Sequence, residues 1–328
     1  MPVHHLIAIY EYGDKNIEHV LSLLEYAGIG IARLYLGLKD NGIDIRHDGT
    51  HLSIRQQSYV LTDQDFANAR GVLFFREKMQ DLPLVTSSSD SSTDAQFSEK
   101  EWDSLIFSIL IHYESTLSNL CWINPPSIYH RNRYKYALLL AAIRSGFVVP
   151  PFAVDTIFTP PCPLAVVAKA ISSDELVDAE HTYSTTLLSE EFVKENLGKR
   201  SNCPSFLQKF IRAEFELRIY FLLGQCRCIK LESSEPYIDI GMVPKESLSI
   251  VSIDCPPKLI ELINLFCADC HLTYCCFDIL QCGQDYFLVD VTPNGSWSFY
   301  ESAENFIISS WFASTLRQYL IRSSDSML

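Results

Sequence analysis

Apolar positions along this chain change period several times, and the changes mark out its elements. Leu6-Ile-Ala-Ile-Tyr10 is a short continuous apolar run, the pattern of a buried strand. Over residues 16–27 the apolar side chains Val20, Leu21, Leu23, Leu24 and Ala27 fall at helical spacing, and Gly28 and Gly30 close the segment. Residues 31–36 resume as a strand, so the opening reads β-α-β and predicts a parallel pair with a right-handed crossover. Strand-like pieces recur at residues 51–54 and 71–75. The Ser/Asp tract over 86–94 is too polar to pack and predicts a mobile loop. A long amphipathic helix is expected over 99–120, a stop at Trp122-Ile-Asn-Pro-Pro126, a second helix over 131–145 ended by Gly146, and an extended segment from Val148. A domain boundary is expected near Pro125.

Beyond it, Leu164-Ala-Val-Val-Ala-Lys169 reads as a short buried strand ending in a lysine, and residues 172–180 as a polar loop. Phe206-Leu-Gln-Lys-Phe-Ile211 reads as a strand crossing into a last unit. Two strand-like runs, 216–223 and 226–231, flank Gly224-Gln225 and predict a hairpin. That loop would set Ile219 against Lys230 and turn Arg218 and Lys230 to opposite faces. Helices are expected over 259–270 and 306–321.

The stretch from Tyr274 to Trp297 says most about chemistry. Two β-prone runs, one carrying Asp278 and the other Asp290, flank a short Gly-containing loop. A loop of residues 283–285 would pair Cys282 with Tyr286 and bring Asp278 directly opposite Asp290. A charge in an apolar strand is costly without a partner, and two facing carboxylates repel. A divalent cation between them is the simplest relief. Mg²⁺ suits such a site, because it takes few carboxylates and completes its shell with phosphates and water.

Composition narrows the field. The chain has 328 residues, 48% hydrophobic and 20% charged, which fits a soluble globular protein of two or three units. No apolar run approaches a membrane span, and no basic segment precedes the first strand, so the expected location is cytoplasmic. With 40 acidic against 26 basic residues, the formal charge of −14 argues against a nucleic-acid partner. The 11 cysteines lie mostly within apolar runs and read as buried thiols. Cys267-Ala-Asp-Cys270-His271 has half the spacing of a zinc knuckle and lacks the second half.

Several segments in order then resemble the ATP-grasp superfamily and, within it, the peptide-cyclising ligases of the microviridin or graspetide type. Trp122-Ile-Asn-Pro-Pro126 followed by Asn132-Arg-Tyr-Lys135 is similar to the stretch where a lysine opens the helix after the first domain. Val166-Val-Ala-Lys169 resembles the second nucleotide lysine, Gln208-Lys209-Phe210-Ile211 the interdomain hinge, and Glu216-Leu-Arg218 the arginine beyond it. Phe277-Asp278 and Asp290-Val-Thr-Pro-Asn294-Gly-Ser-Trp297 resemble the metal pair and the Asn-Gly-x-Trp tail of the peptide-modifying branch.

The resemblance implies an α+β ATP-grasp fold in three successive α/β units, 1–125, 126–205 and 206–328, with the nucleotide between the last two. It implies ATP and Mg²⁺ as cofactors. Lys135 and Lys169 would meet the phosphates as point charges, and Gln208, Lys209, Phe210 and Ile211 would frame adenine largely through backbone groups. Glu214 would take the ribose hydroxyls. Arg218 would stabilise the transferring phosphate; a salt bridge to Glu216 is the competing reading of that arginine. Asp278 and Asp290 would hold Mg²⁺, with Thr292 and Asn294 as further oxygen ligands. The family usually carries Glu at the position of Asp290 and Asn at that of Thr292. Asn294 either compensates or shapes the turn with Gly295, and Trp297 reads first as a packing residue. The family's Gly-rich phosphate flap is absent after Lys169, where the chain reads Ala-Ile-Ser-Ser-Asp-Glu.

The implied reaction is ATP-dependent activation of an Asp or Glu side chain in a ribosomal precursor peptide, leader plus core. A Ser/Thr hydroxyl or Lys amine of the same peptide then closes an ester or amide ring. A homodimer is implied as well. The alternatives are an intermolecular, glutamate-type ligase and a non-catalytic nucleotide- or peptide-binding partner of an active enzyme.

Overall fold

The computed structural model describes residues 5–36, 43–56, 59–75, 93–129, 134–171, 185–301 and 305–325. The expected loops over 86–94 and 172–180 lie outside these residues, apart from Thr93 and Asp94, which open a helix.

The chain opens as its apolar pattern predicts. β1 (Leu6–Glu11), α1 (Lys15–Tyr26) and β2 (Ile31–Leu36) form a β-α-β unit whose strands pair in parallel, Leu6 against Ile31. Asp14 starts α1, its carboxylate accepting the N–H groups of Asn16 and Ile17 at 2.9 and 3.1 Å. β3 (Ile43–His47), β4 (Leu52–Gln56) and β5 (Tyr59–Thr62) form a separate antiparallel sheet. Only β4 is foreshadowed in the sequence, because β3 is mostly polar. Then come α2 (Asp63–Asn68), β6 (Gly71–Phe75), α3 (Thr93–Thr116) and β7 (Cys121–Ile123). The first sheet runs β2-β1-β6-β7, parallel throughout. β6 is buried at every position, as a strand covered on both faces must be.

α4 (Pro126–Tyr129) and α5 (Lys135–Arg144) lead into β8 (Phe152–Ile157), β9 (Val166–Lys169), β10 (Thr186–Leu187), α6 (Glu190–Asn196) and β11 (Arg200–Lys209). The strands make an antiparallel sheet in the order β10-β9-β11-β8. The helix expected from residue 131 is described from Lys135 onward.

The last sheet is antiparallel, in the order β14-β13-β12-β15-β16. It contains β12 (Phe215–Leu222), β13 (Gln225–Ser233), β14 (Leu248–Ile253), β15 (Tyr274–Cys282) and β16 (Asp285–Thr292). α7 (Pro257–Cys270) precedes β15, and α8 (Ile307–Asp325) closes the chain. Alternation along β12 and β15 divides their side chains between two cores. Leu217, Ile219, Phe221, Phe277 and Ile279 pack with α5 and α7. Tyr220, Leu222, Tyr274 and Cys276 join Trp297, α8, α1 and β1 in a cluster shared with the first sheet. Trp297 is fully buried and donates its indole N–H to Ser309 Oγ at 2.8 Å, so it packs rather than faces solvent.

Both hairpin turns differ from the sequence expectation. In β12–β13, Leu222 pairs with Gln225, so the loop is Leu223-Gly224, both with positive φ. Leu217, not Ile219, faces Lys230. The slip moves the pairing by two positions in sum, so Arg218 and Lys230 still point to opposite faces. In β15–β16, Cys282 pairs with Asp285, leaving a two-residue Gly283-Gln284 loop. An irregularity beyond Ile279 then absorbs one extra residue of β16, and Asp278 pairs with Asp290 after all.

Cys267 and Cys270 are buried under the sheet, where burial pushes the Cys267 thiol well above its ordinary range. Among the described residues no three metal-ligating side chains cluster. No helix among them is long and apolar enough to cross a membrane.

Candidate active site

A cleft of about 1050 Å³ separates the β10-β9-β11-β8 sheet from the β14-β13-β12-β15-β16 sheet. One wall comes from α5, β9 and the end of β11; the opposite wall comes from β12, β15, β16 and the connection between β13 and β14. Ligand sites commonly lie in such an inter-sheet crevice with a few convergent polar groups.

Lys135, the first residue of α5, reaches across to Asp290, with Nζ donating to Oδ2 at 3.0 Å. Asp290 raises the lysine's proton affinity against the opposing effect of burial. Lys169 ends β9. Among the described residues its Nζ meets only the carbonyl of Val289, at 3.4 Å, and burial pushes its pKa below the ordinary lysine value. Two lysines from two elements therefore flank the strand that carries Asp290.

Arg218 and Asp278 face each other across β12 and β15. The guanidinium donates to both carboxylate oxygens at 2.8 and 3.0 Å, to the Tyr220 hydroxyl at 3.1 Å and to the Ser296 carbonyl at 3.3 Å. The Tyr300 ring lies 5.0 Å from the guanidinium carbon. The competing reading, a surface salt bridge to Glu216, is overturned: the Arg218 side chain is 13% exposed and its partner is Asp278. Burial raises the Asp278 pKa, the arginine lowers it, and Asp290 raises it further. Gly295 is required beside this pair, because a Cβ there would lie 2.8 Å from Cys276 Sγ and 3.3 Å from an Arg218 Nη.

The hinge residues Gln208, Lys209, Phe210 and Ile211 all line the cleft. Two of the N–H groups in this segment are already engaged within the protein: Lys209 N–H on the Pro151 carbonyl at 2.8 Å and Phe210 N–H on that of Ala165 at 2.7 Å. The N–H of Ile211 has no such partner among the described residues. Gln208 is 1% exposed, and its Nε2 is buried without a hydrogen bond. Glu214 lines the cleft while accepting the N–H of Gly283 at 3.0 Å, a bond that braces the β15–β16 turn.

Two expected metal ligands are placed elsewhere. Thr292 sits opposite Cys276 and is not among the cleft-lining residues. Asn294 is 1% exposed, in the left-handed region at φ 59°, and its Oδ1 is taken by Asn124 Nδ2 at 2.8 Å. Of the two readings of Asn294, the turn-shaping one describes what it does. Asp278 and Asp290 remain as a facing pair on the cleft wall. Two carboxylates beside two lysines, with open volume for phosphates, fit the demands of Mg²⁺.

Sequence reasoning passed over Glu216, Tyr237 and Asp239, which also line the cleft. Glu216 is visible in the alternation of β12, since it shares a face with Arg218 two residues on. Tyr237 and Asp239 lie in an irregular connection with no periodic signal.

The two walls and the cleft between them define an ATP-grasp fold. Solved structures of that class match over nearly the whole chain. A Chryseobacterium gregarium RiPP-associated ATP-grasp ligase, in complex with ADP and a leader and core peptide, aligns at TM-score 0.74 and 20% identity over 96% of this chain and 97% of its own. The macrocyclase MdnC from Microcystis aeruginosa MRC, bound with precursor peptide MdnA, aligns at 0.75 and 18%, over 95% and 99%. The ATP-grasp ligase PsnB, complexed with a minimal precursor, aligns at 0.69 and 14%, over 98% and 99%. No protein-family profile matches the chain. No curated protein sequence matches it either.

Proposed function

We propose that this protein is an ATP-dependent ligase that activates carboxylate side chains of a ribosomal precursor peptide and joins them to nucleophiles of the same peptide. The observation that carries the reading is the convergence of Lys135, Lys169, Asp278 and Asp290 on one cleft, with Arg218, which is not among the lining residues, paired to Asp278. The full-length likeness to an ADP-bound peptide ligase and to a peptide-bound macrocyclase supports it.

Lys135 and Lys169 would hold the nucleotide phosphates, and Asp290, which here accepts from Lys135, would be available to Mg²⁺. Asp278 and Asp290 are the carboxylates that would hold the ion, which would offset charge on the phosphates. Arg218, fixed by Asp278, Tyr220 and Ser296, is not among the residues lining the cleft and would act on it through Asp278. The Ile211 N–H and the Gln208 amide are the open groups for the base. Catalysis in such a site comes from positioning and charge neutralisation rather than from a covalent group on the protein. The reading carries a cytoplasmic location and a homodimer as its expected setting.

The test is ADP release by the purified chain with Mg²⁺ and ATP, across short acidic peptides bearing Lys, Ser or Thr, followed by intact-mass analysis. Loss of one water per ring supports cyclisation. A gain in mass supports intermolecular ligation. No peptide-stimulated ADP release with any peptide counts against the ligase reading, and no ADP release at all favours the binding-partner one.

A further inference from the structure

β15 and β16 carry the two facing carboxylates, yet their pairing follows two registers that disagree by one residue. From the turn, Cys282 against Asp285 runs unbroken to Ile279 against Leu288. Continued, that register would set Asp278 against Val289 and Asp290 against Phe277, which belongs to the apolar core with α5 and α7. A one-residue slip carries a side chain to the other face of a sheet. Away from the turn, Asp278 against Asp290 and Cys276 against Thr292 follow the second register, and Val289 is the residue left over. The facing of the carboxylates therefore depends on what holds the end remote from the turn.

Asn124 sits at that end. It follows β7 of the first sheet, is 5% exposed, and is not among the cleft-lining residues. Its amide grips both strands. Oδ1 accepts the N–H groups of Thr273 and Tyr274, each at 2.9 Å, and Nδ2 donates to the Tyr274 carbonyl at 2.9 Å, where β15 starts. The same Nδ2 donates to Asn294 Oδ1 at 2.8 Å, just past the end of β16. Carried further from the turn, the second register sets Tyr274 opposite Asn294. One amide thus spends its donors and its lone pairs on tying two positions that only this register brings together. Thr273 Oγ1 adds a bond to the Trp122 carbonyl at 2.7 Å, so β15 is held to β7 as well. Val291 is buried in the same register, so the apolar core favours it too, and losing the amide frays the end of the pair instead of slipping the whole strand.

We infer that Asn124 is a positioning residue: by clamping Tyr274 to Asn294 it holds the register in which Asp278 and Asp290 face each other on the cleft wall. The inference rests on the metal reading of that pair and assigns its geometry to a side chain of the first α/β unit.

The test uses the full chain and two variants, Asn294→Gly and Asn124→Ala. Asn294 lies at φ 59°, which glycine adopts without strain, so that variant removes the acceptor and spares the backbone. Asn124→Ala leaves two N–H groups unpaired; if it does not fold, Asn294→Gly decides alone. Calorimetry reads ADP affinity with and without Mg²⁺, and hydrogen exchange reads the strands. In Asn294→Gly the gain in ADP affinity from Mg²⁺ is expected to fall about tenfold, while affinity without Mg²⁺ holds. Amides of residues 290–292 are expected to exchange about tenfold faster, and those of β12 and β13 at the native rate. An unchanged Mg²⁺ gain in the folded variant overturns the proposal. So does an equal loss with and without the ion, which marks a cleft that is merely loosened. If the native chain gains nothing from Mg²⁺, the metal reading falls, while exchange at residues 290–292 still decides whether Asn124 holds the register.

Discussion

Two buried polar clusters in this molecule are built to opposite rules. In the first sheet, Arg33 is 8% exposed and fully met: Glu18 at 2.9 Å, Glu25 at 2.7 Å and the Tyr10 hydroxyl at 3.2 Å. In the cleft, Gln208 Nε2, the Tyr237 hydroxyl and Glu216 are left without partners. A satisfied buried network holds a scaffold in one arrangement; an unsatisfied one stores desolvation cost that a ligand can relieve. The contrast holds for these two clusters; single unpartnered atoms also occur away from the cleft among the described residues, at Asn16 Oδ1 and Trp122 Nε1.

The sharpest way to break that contrast is Asp290→Asn. Lys135 and Asp290 are 38% and 30% exposed, so stability should change by less than about 1 kcal/mol. ADP release should nevertheless fall by about 100-fold or more, because the phosphate-facing charge is lost. Full activity in this variant would sink the metal assignment. Next comes Asp278→Ala, which leaves the Arg218 guanidinium buried and unpaired. Urea unfolding should show a loss of about 3–5 kcal/mol, a size reserved for broken buried pairs. Gly295→Ala should cost about 1–3 kcal/mol by forcing a Cβ onto Cys276, read as a lowered melting temperature.

Gln208→Met tests the rule from the other direction. Removing an unpaired buried amide should leave stability unchanged or raise it by up to about 1 kcal/mol, while ADP affinity measured by calorimetry falls. A large loss of stability would mean the amide is satisfied after all. The smallest effect belongs to the scaffold. Glu25 is 46% exposed, so Glu25→Gln should cost less than about 1 kcal/mol and leave ADP binding untouched.

Apolar periodicity made the β-α-β opening, β6, α7 and both late hairpins legible in the sequence, because each has a period that burial dictates. The facing of Asp278 and Asp290 was legible too, although by a mistaken turn. Val289 looks like any strand residue, and nothing local announces that β16 carries an extra position there. β3 was missed because Asp44, Arg46 and His47 hide its alternation. Glu216 could be placed on the right face, but whether it is satisfied depends on groups that lie far along the chain. Asn294 illustrates the same limit: its partner, Asn124, is 170 positions away.

α8 shares one apolar cluster with β1 and α1, and Arg70 donates to the Leu320 carbonyl at 2.8 Å. The first sheet is thus finished by the last helix. On a ribosome making about 5–20 residues per second, on the order of 15–60 s separates the emergence of Leu6 from that of Leu316. During that interval α1 covers part of the apolar face of β1, and the part that α8 covers stays open. Chaperone demand during synthesis therefore falls on the start of this chain, and the signal that releases it is translated near the end.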